Sequence, residues 1–408
     1  MVLACLTLAT EAAETPRIIP ESTRLGTGRK TAVRPPSRLD PSVAAAAFVT
    51  DSGVSPKAFG SRDPAVRQTL LARYGGNEHS EAAVRRALQW IVEHQLPDGG
   101  WSFDHRVGPV VNDRQRTSSH PGASTTARNA ATAMALLPLL GAGHTHLHGE
   151  YKATVQTGLN YLIGRQKPDG GWHEPGGTMY SHGLAAIAVC EAYGLTRDEA
   201  LMPKAQSAVN FVTQAQDPVG GGWRYSPRQP GDTSVSGWQF AALKSGQAAS
   251  LAVSPQVLAQ VDKFLNSVEK DGAFYGYTSP GQGPATTAIG ILCRMQQGRK
   301  RDVEAMKKGI QFLATFGPST GAAANLYYDF YATQVMWHYG GEPWQKWNSV
   351  LRDFLIKSQA TDGPETGSWY CRGGHGADQG GRLYCTSLAT LILQVYYRHQ
   401  PAYSPHEP

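Results

Sequence analysis

Three side chains in this 408-residue sequence have the types and settings that acid–base chemistry needs: Asp232, Asp329 and His182. Each stands at or near the start of an apolar stretch: Asp232 in DTSVSGWQFAALKSG, Asp329 in DFYATQVMWHYGG and His182 in YSHGLAAIAVCEAY. Asp232 has two readings. As the first residue of a helix it caps, accepting from an amide one turn on, which is worth ~1 kcal/mol. In a closed cavity it is instead a Brønsted acid. That role needs a protonated carboxyl, hence a pKa raised by desolvation, whereas a cap and the helix dipole pull the other way. Asp329, among Tyr327, Tyr328, Phe330 and Tyr331, is a second acid or another cap. His182 is a base, a proton partner across the site, or a hydrogen-bonded structural residue. The aromatics either face a cation or simply pack.

Other chemistry finds less support. There is no G-x-S-x-G, no Walker loop and no H-E-x-x-H. His144, His146 and His148 alternate with metal-like spacing, or form a solvated turn. Ser118, Ser119 and His120 belong to a polar insertion, 104–122, long enough to fold over a site as a lid. Five widely spaced cysteines, none in C-x-x-C, argue against a disulfide framework and a zinc finger.

The elements that must position these residues come from a repeat. ALQWIVEHQLPDGGW, GLNYLIGRQKPDGGW, AVNFVTQAQDPVGGGW and FLIKSQATDGPETGSW each join a helical period to a Gln, a Pro/Asp/Gly turn and a Trp. FLNSVEKDGAF is a degenerate copy with Phe274 for Trp, and GIQFLATFGPSTG a sixth that has lost the aromatic. Val84, Ala87, Leu88, Ile91 and Val92 mark a one-sided amphipathic helix, with Ser80 as its expected N-cap. After each turn comes a stretch apolar on most faces, which predicts a buried helix. Six of each predict an all-α ring, an α/α toroid of about six hairpins with buried helices inside and amphipathic ones outside. All inner helices then begin on one side. Their first residues define a single mouth, where Thr233, Ser234, Trp238, Tyr180, Tyr328, Tyr331, Tyr384 and Cys385 are candidate substrate contacts.

Hydrophobic residues make up 41% and charged residues 17%, with 45 Gly and 26 Pro acting as punctuation between elements. The net charge of +6 is scattered, without the basic-aromatic patches of a nucleic-acid binder. A mildly basic surface is compatible with an anionic ligand or peripheral membrane contact. No obligate protein partner is evident, and no stretch is long and apolar enough to span a bilayer. Residues 1–65 are expected to be a flexible tail, with Val2–Ala9 a signal-like remnant that leaves localisation open between cytoplasm and export. The toroid is expected over 66–408.

These turns resemble the QW-type repeats of squalene-hopene cyclases, and the chain is similar to the prenyltransferase and squalene-cyclase repeat superfamily from about Ser80 onward. GGGWRYSPRQPGDTSVSGWQ and YYDFYATQVMWHYGG look more narrowly like a bacterial, planctomycete-type group of single-toroid members. Class II terpene cyclases place the acid of an Asp-rich motif at an inner-helix start, and the resemblance puts Asp232 on it, with Pro230 in place of the motif's first Asp. It implies a hydrophobic isoprenoid in the central cavity and no cofactor. Prenyltransferase zinc ligands align with Asp329, Tyr331 and Cys385; only the Asp is kept, so no metal is expected. The complement-type thioester is absent. Two other readings stay open: a non-catalytic binder of lipid, glycan or peptide, and a polysaccharide lyase or glycosidase, the latter needing two carboxyls about one bond.

Overall fold

The computed structural model describes residues 59–107, 117–372 and 374–403. The amphipathic stretches become α2 (Glu78–Glu93), α4 (Lys152–Arg165), α6 (Met202–Ala215), α8 (Pro255–Val268), α10 (Glu304–Phe316) and α12 (Gly341–Ser358). The apolar ones become α3 (Arg128–Gly141), α5 (Thr178–Thr196), α7 (Thr233–Ala248), α9 (Pro284–Gln296), α11 (Leu326–Tyr339) and α13 (Ala377–Leu393). Helix α1 (Pro64–Tyr74) precedes them and the short α14 (Val395–Arg398) follows. The two types bury different surfaces. Along α2 a stripe of Ala83, Val84, Ala87, Leu88 and Ile91 is buried, whereas every residue of α5 from Ser181 to Ala192 is.

Burial on all faces requires neighbours on all sides. Each inner helix packs against the next in the order α3, α5, α7, α9, α11, α13, and α13 returns to α3. The outer helices pack on this ring from outside, and α12 meets α2 to close the outer layer. The protein is an all-α, α/α toroid of six hairpins. Its one sheet among the described residues is a hairpin of β1 (Glu269–Lys270) and β2 (Phe274–Tyr275). No described helix is long and apolar enough to cross a membrane.

Two side chains of the repeat hold adjacent hairpins together. The Gln amide bonds its own turn and the next outer helix at once. Gln95 donates to the carbonyls of Gly99 (2.8 Å) and Thr154 (3.0 Å), and Gln166 to Gly170 (3.1 Å) and Lys204 (2.9 Å). Gln216 reaches Gly221 and Val257, and Gln359 reaches Gly367 and Ala83 (both 2.8 Å), linking the last repeat to the first. The indole N–H of each turn Trp bonds a carbonyl in the last turn of its own outer helix: Trp101 to Ile91, Trp172 to Leu162, Trp223 to Val212 and Trp369 to Leu355. Such carbonyls have no partner within the helix. Gly367 illustrates why the turn needs glycine. Its φ is +91°, and a Cβ there would sit 2.3 Å from the Arg86 carbonyl.

The structure departs from the sequence expectations in three places. Asn77, not Ser80, caps α2: Asn77 accepts from the Ser80 amide (2.8 Å) and Ser80 Oγ accepts from the Asn77 amide (3.0 Å), a reciprocal capping box. In the fourth repeat Tyr275, not Phe274, takes the Trp place. Its amide donates to Thr287 Oγ1 on the inner helix (3.1 Å), as the amide of Trp101 does to Thr132. The expected tail lies outside the described residues through residue 58, but the chain is already docked at Phe59. Phe59, Ser61 and Arg62 are buried, Ser61 Oγ donating to the Tyr397 carbonyl (2.7 Å).

The clamps make a stability prediction. Gln359→Ala removes a buried amide with two carbonyl acceptors, and also the acceptor used by Arg86. It should cost about 2–3 kcal/mol, read from urea unfolding. Gln89→Ala, on the exposed face of α2, should cost under about 0.5 kcal/mol. Equal effects would show that the ring-closing link carries no special weight.

Candidate active site at the inner-helix starts

Asp232 is the N-cap of α7. Its φ and ψ of −126° and 157° leave the helix, its amide donates to the Trp223 carbonyl, and its Oδ1 accepts from the Val235 amide at 2.8 Å. It is also fully buried. Burial pushes its pKa up to about 6, against the Val235 amide, Tyr277 and Arg224, which favour the ionised form. Arg224 Nε lies 3.8 Å from Oδ2. Asp232 is therefore at once a cap and a buried carboxyl with a raised pKa: capping uses Oδ1, while Oδ2 has no regular hydrogen bond among the described residues.

The surroundings of Asp232 are aromatic and hydroxylic. Ser234 bonds the Tyr180 hydroxyl (2.9 Å) from α5 and the Tyr327 hydroxyl from α11. Trp238, one turn on, stacks on Phe330 at 5.4 Å and meets Tyr331 edge-on at 5.6 Å. Helices α7 and α11 are not neighbours in the ring, since α9 lies between them. These contacts therefore cross the lumen, and the first two turns of α7 and α11 face each other through the centre. Tyr225 and Tyr277, hydroxyl to hydroxyl at 2.7 Å, stand beside Asp232 at the helix-start end.

The structure thus brings together Asp232, Ser234, Trp238, Tyr180 and Tyr331, with Tyr384 close enough to feel Tyr327. It places the other sequence candidates elsewhere. His182 is buried beneath Trp172 and against Phe211, facing the outer ring. Its Nδ1 accepts the Trp172 amide at 3.2 Å, as Ser236 Oγ accepts that of Trp223 and Thr386 Oγ1 that of Trp369. Burial lowers its pKa to about 3, so it is neutral and occupies a repeat-pinning position. Thr233 Oγ1 donates to the carbonyls of Gly276 and Tyr277. Tyr328 points outward to Phe316 and Trp347, its hydroxyl on the Gly317 carbonyl.

Asp329 does not cap α11; Asn325 does, accepting the Tyr328 amide. Both Asp329 oxygens instead hold Ser319, Oδ1 taking its amide (2.9 Å) and Oδ2 its hydroxyl (2.7 Å). Asp329 secures the turn of the one repeat that lost its aromatic. Burial raises its pKa to about 7. Cys385 is buried next to Cys371 rather than in the lumen group. Among the described residues no three His, Cys, Asp or Glu are placed to hold a metal. His146 pairs with Asp198 (2.8 Å) while His144 packs edge-on to Tyr151. Of the insertion, residues 117–122 dock on the last repeat: Arg382 Nε donates to the Ser119 carbonyl, and His120 stacks on Tyr370 at 4.0 Å.

Sequence reasoning missed Arg224, Tyr225, Tyr277 and Glu174. Glu174 Oε1 accepts the amides of Asn129 (2.8 Å) and Ala130 (3.1 Å), capping α3 from the next turn, and burial raises its pKa. A spacing signal was present. Glu174, Tyr225, Tyr277 and Cys371 each stand two residues after the turn aromatic at 172, 223, 275 and 369. That offset delivers a side chain to the start of an inner helix.

Comparison with known proteins agrees with this architecture. The squalene-hopene cyclase C-terminal domain family matches residues 66–183. A squalene-hopene cyclase of Schizosaccharomyces japonicus is 33% identical over 133 residues, 31% of this chain and 18% of its own. A probable squalene-hopene cyclase of Sinorhizobium fredii is 35% identical over 99 residues, 24% of this chain and 13% of its own. The chain thus matches less than a fifth of the length of these relatives. Among solved structures, the type II terpene cyclase MstE of Scytonema in complex with geranylgeranyl dihydroxybenzoate has a TM-score of 0.52 at 14% identity, covering 78% of this chain and 96% of that one. An alpha-1,6-mannanase of Salegentibacter sp. HEL1_6 with alpha-1,6-mannotriose has a TM-score of 0.53 at 10% identity, covering 78% and 99%. These two likenesses are of fold. With its Gln-Trp turns, its closed ring and the match at residues 66–183, the chain is similar over that segment to the squalene-hopene cyclase C-terminal domain family and has the fold of a terpenoid cyclase-like α/α toroid.

Proposed function

We propose that the protein handles isoprenoids as a class II-type, protonation-initiated cyclase with Asp232 as the acid. The observation that carries this reading is a buried carboxyl, loaded with a proton up to about pH 6, beside an aromatic lumen. Asp232 Oδ2–H donates its proton to a terminal alkene carbon. The O–H bond breaks, a C–H bond forms and a tertiary cation remains. A second alkene of the same chain closes on that cation, and the last cation loses a proton to a base or water. The faces of Trp238, Phe330 and Tyr331 are the groups suited to the travelling charge. Asp232 recovers its proton from solvent through the Tyr277 and Tyr225 hydroxyls.

A second reading, a non-catalytic binder, is favoured by one observation: the Ser234–Tyr327 and Trp238–Phe330 contacts already span the lumen. A glycosidase reading fits the mannanase likeness at the level of fold, and it needs a carboxyl other than Asp329, both of whose oxygens are committed to Ser319.

Incubation with squalene, linear prenyl diphosphates and a geranylgeranyl-bearing aromatic acid, followed by mass spectrometry of extracts, separates these readings. The cyclase reading expects a cyclised product from the native chain and none from Asp232→Asn, which keeps the cap. No product from the native chain with any of these substrates rejects it. Turnover should fall about tenfold per pH unit above about 6, as the acid ionises.

Stability tests the acid without a substrate. The Asp232 pKa is raised in the folded state from an ordinary 3.8 to about 6, so the folded chain binds the extra proton. Stability from this group is present below pH 3.8 and is lost as pH rises to about 6. Between pH 3.5 and 7 the native chain should lose roughly 3 kcal/mol relative to Asp232→Asn. Parallel pH profiles in urea unfolding would show that Asp232 is not held protonated.

A further inference from the structure

The far end of the ring, where the inner helices finish, holds a cavity of about 610 Å³. It lies between the C-terminal ends of α1 and α11, the N-terminal end of α12 and residues 401–403. Its walls include Trp337, Trp344 and Tyr74, and its polar rim includes Arg73, Arg301 and Arg352. No carboxylate lines it.

The arginines are not equivalent. Arg352 is satisfied, with Nε and Nη2 on Asp353 and Nη1 on the Gly75 carbonyl. Arg73 and Arg301 have no acidic partner among the described residues. Each rests on an aromatic face, Arg73 over Tyr74 at 5.4 Å and Arg301 over Tyr339 at 4.8 Å. Arg301 also reaches the start of α12, where Nη2 lies 3.3 Å from the position of a Cβ on Gly341. That start is uncapped. Gly340 and Gly341 both have positive φ, and no side chain accepts from the first turn of this 18-residue helix.

A separate observation comes from His338, which lines the same cavity and is 94% buried. Its Nδ1 accepts the Ala402 amide at 3.0 Å, which fixes the proton on Nε2. That Nε2–H has no acceptor among the described residues. A buried donor without a partner costs free energy, and an acceptor entering the cavity would relieve it. Two unpaired guanidiniums, a free helix start and an orphan N–H all ask for the same thing: a compact anion with several acceptor oxygens. The indole and phenol walls ask for a flat or apolar group attached to it.

We infer that this cavity is a binding site for the phosphate monoester of a small apolar group, held by Arg73, Arg301 and the start of α12. It is independent of the Asp232 chemistry, which lies at the opposite end of the same helices. Donors arriving from separate elements suit a tetrahedral dianion better than a planar carboxylate.

The test is calorimetric titration of the full chain with phenyl phosphate, inorganic phosphate and benzoate. Vesicles of phosphatidylcholine with and without phosphatidic acid form a second arm, read by co-sedimentation. Phenyl phosphate should bind at one site and more tightly than benzoate or inorganic phosphate. Arg301→Gln and Arg73→Gln should each weaken it about tenfold, while Arg85→Gln, an equal charge change on the exposed face of α2, should not. Unfolding curves confirm that each variant is folded. Arg301-dependent binding of phenyl phosphate supports a soluble ester, and Arg301-dependent binding confined to phosphatidic acid vesicles supports a lipid headgroup; either upholds the site. No binding of any phosphate probe, equal loss in Arg85→Gln, or tighter binding of benzoate would overturn the assignment.

Discussion

The side-chain amide of the turn glutamine is the constraint on which the ring depends. An inner ring of helices closes only if each hairpin meets the next at a fixed offset. One NH2 group with two donors sets that offset at four boundaries by holding a turn carbonyl and a carbonyl of the next outer helix together. The two repeats that lack the glutamine hold their turns from within the hairpin instead. At Glu269 the buried Arg294 gathers Asp262, Asn266, Glu269 and the Tyr275 hydroxyl. At the degraded fifth turn Asp329 grips Ser319 through both oxygens. The chemistry of the clamp thus changes, and the clamp of the fifth repeat is the residue that looks most like a second acid.

The ring was legible because its signals are periodic and local. Alternating one-sided and all-round apolar stretches require two layers, and the repeat turn fixes where each reverses. The site was legible only in part, because rotation about a helix axis decides which side chains share a space. Tyr327 and Tyr331, four residues apart, enter the lumen together, while Tyr328 faces the outer layer. On an inner helix buried on every face, no hydrophobic pattern distinguishes those directions. His182 lies apart from the lumen group for a related reason. Its type suggested chemistry, but its register is that of Thr132, Ser236 and Thr386, whose task is to accept an indole residue's amide. Comparing the same position across repeats identifies it, whereas residue type alone does not. The same comparison at the position two residues beyond the turn aromatic finds Tyr225 and Tyr277.

Asp232 and Asp329 show how one residue type at similar places diverges. Both are buried and both have raised pKa values. Asp329 accepts from a single serine through each oxygen, so both oxygens are engaged in holding a loop. Asp232 spends one oxygen on its cap and keeps the other toward Arg224 and Tyr277. Reactivity requires an uncommitted oxygen as well as a suitable pKa, and only Asp232 has both.

The two ends of the ring explain why that pKa lies near 6 rather than higher. Six parallel inner helices direct their positive dipole ends to one side and their negative ends to the other. At the negative end the protein supplies permanent cations. Arg62 donates to the Leu140 carbonyl and Arg398 to the Leu137 carbonyl, and the two share Glu191 at 2.8 and 2.7 Å. Burial would raise Glu191, but Arg398 and Arg62 outweigh it and keep it ionised. At the positive end carboxyls take up the free amides, Glu174 those of Asn129 and Ala130 and Asp232 that of Val235. Asp232 therefore feels its helix start and Arg224 pulling toward ionisation while burial holds the proton on. An acid kept loaded by burial but weakened in its grip by nearby positive charge is a better donor than one raised by burial alone, because its conjugate base is already stabilised where it forms. The same helix direction that closes the fold at one end thus tunes the carboxyl at the other.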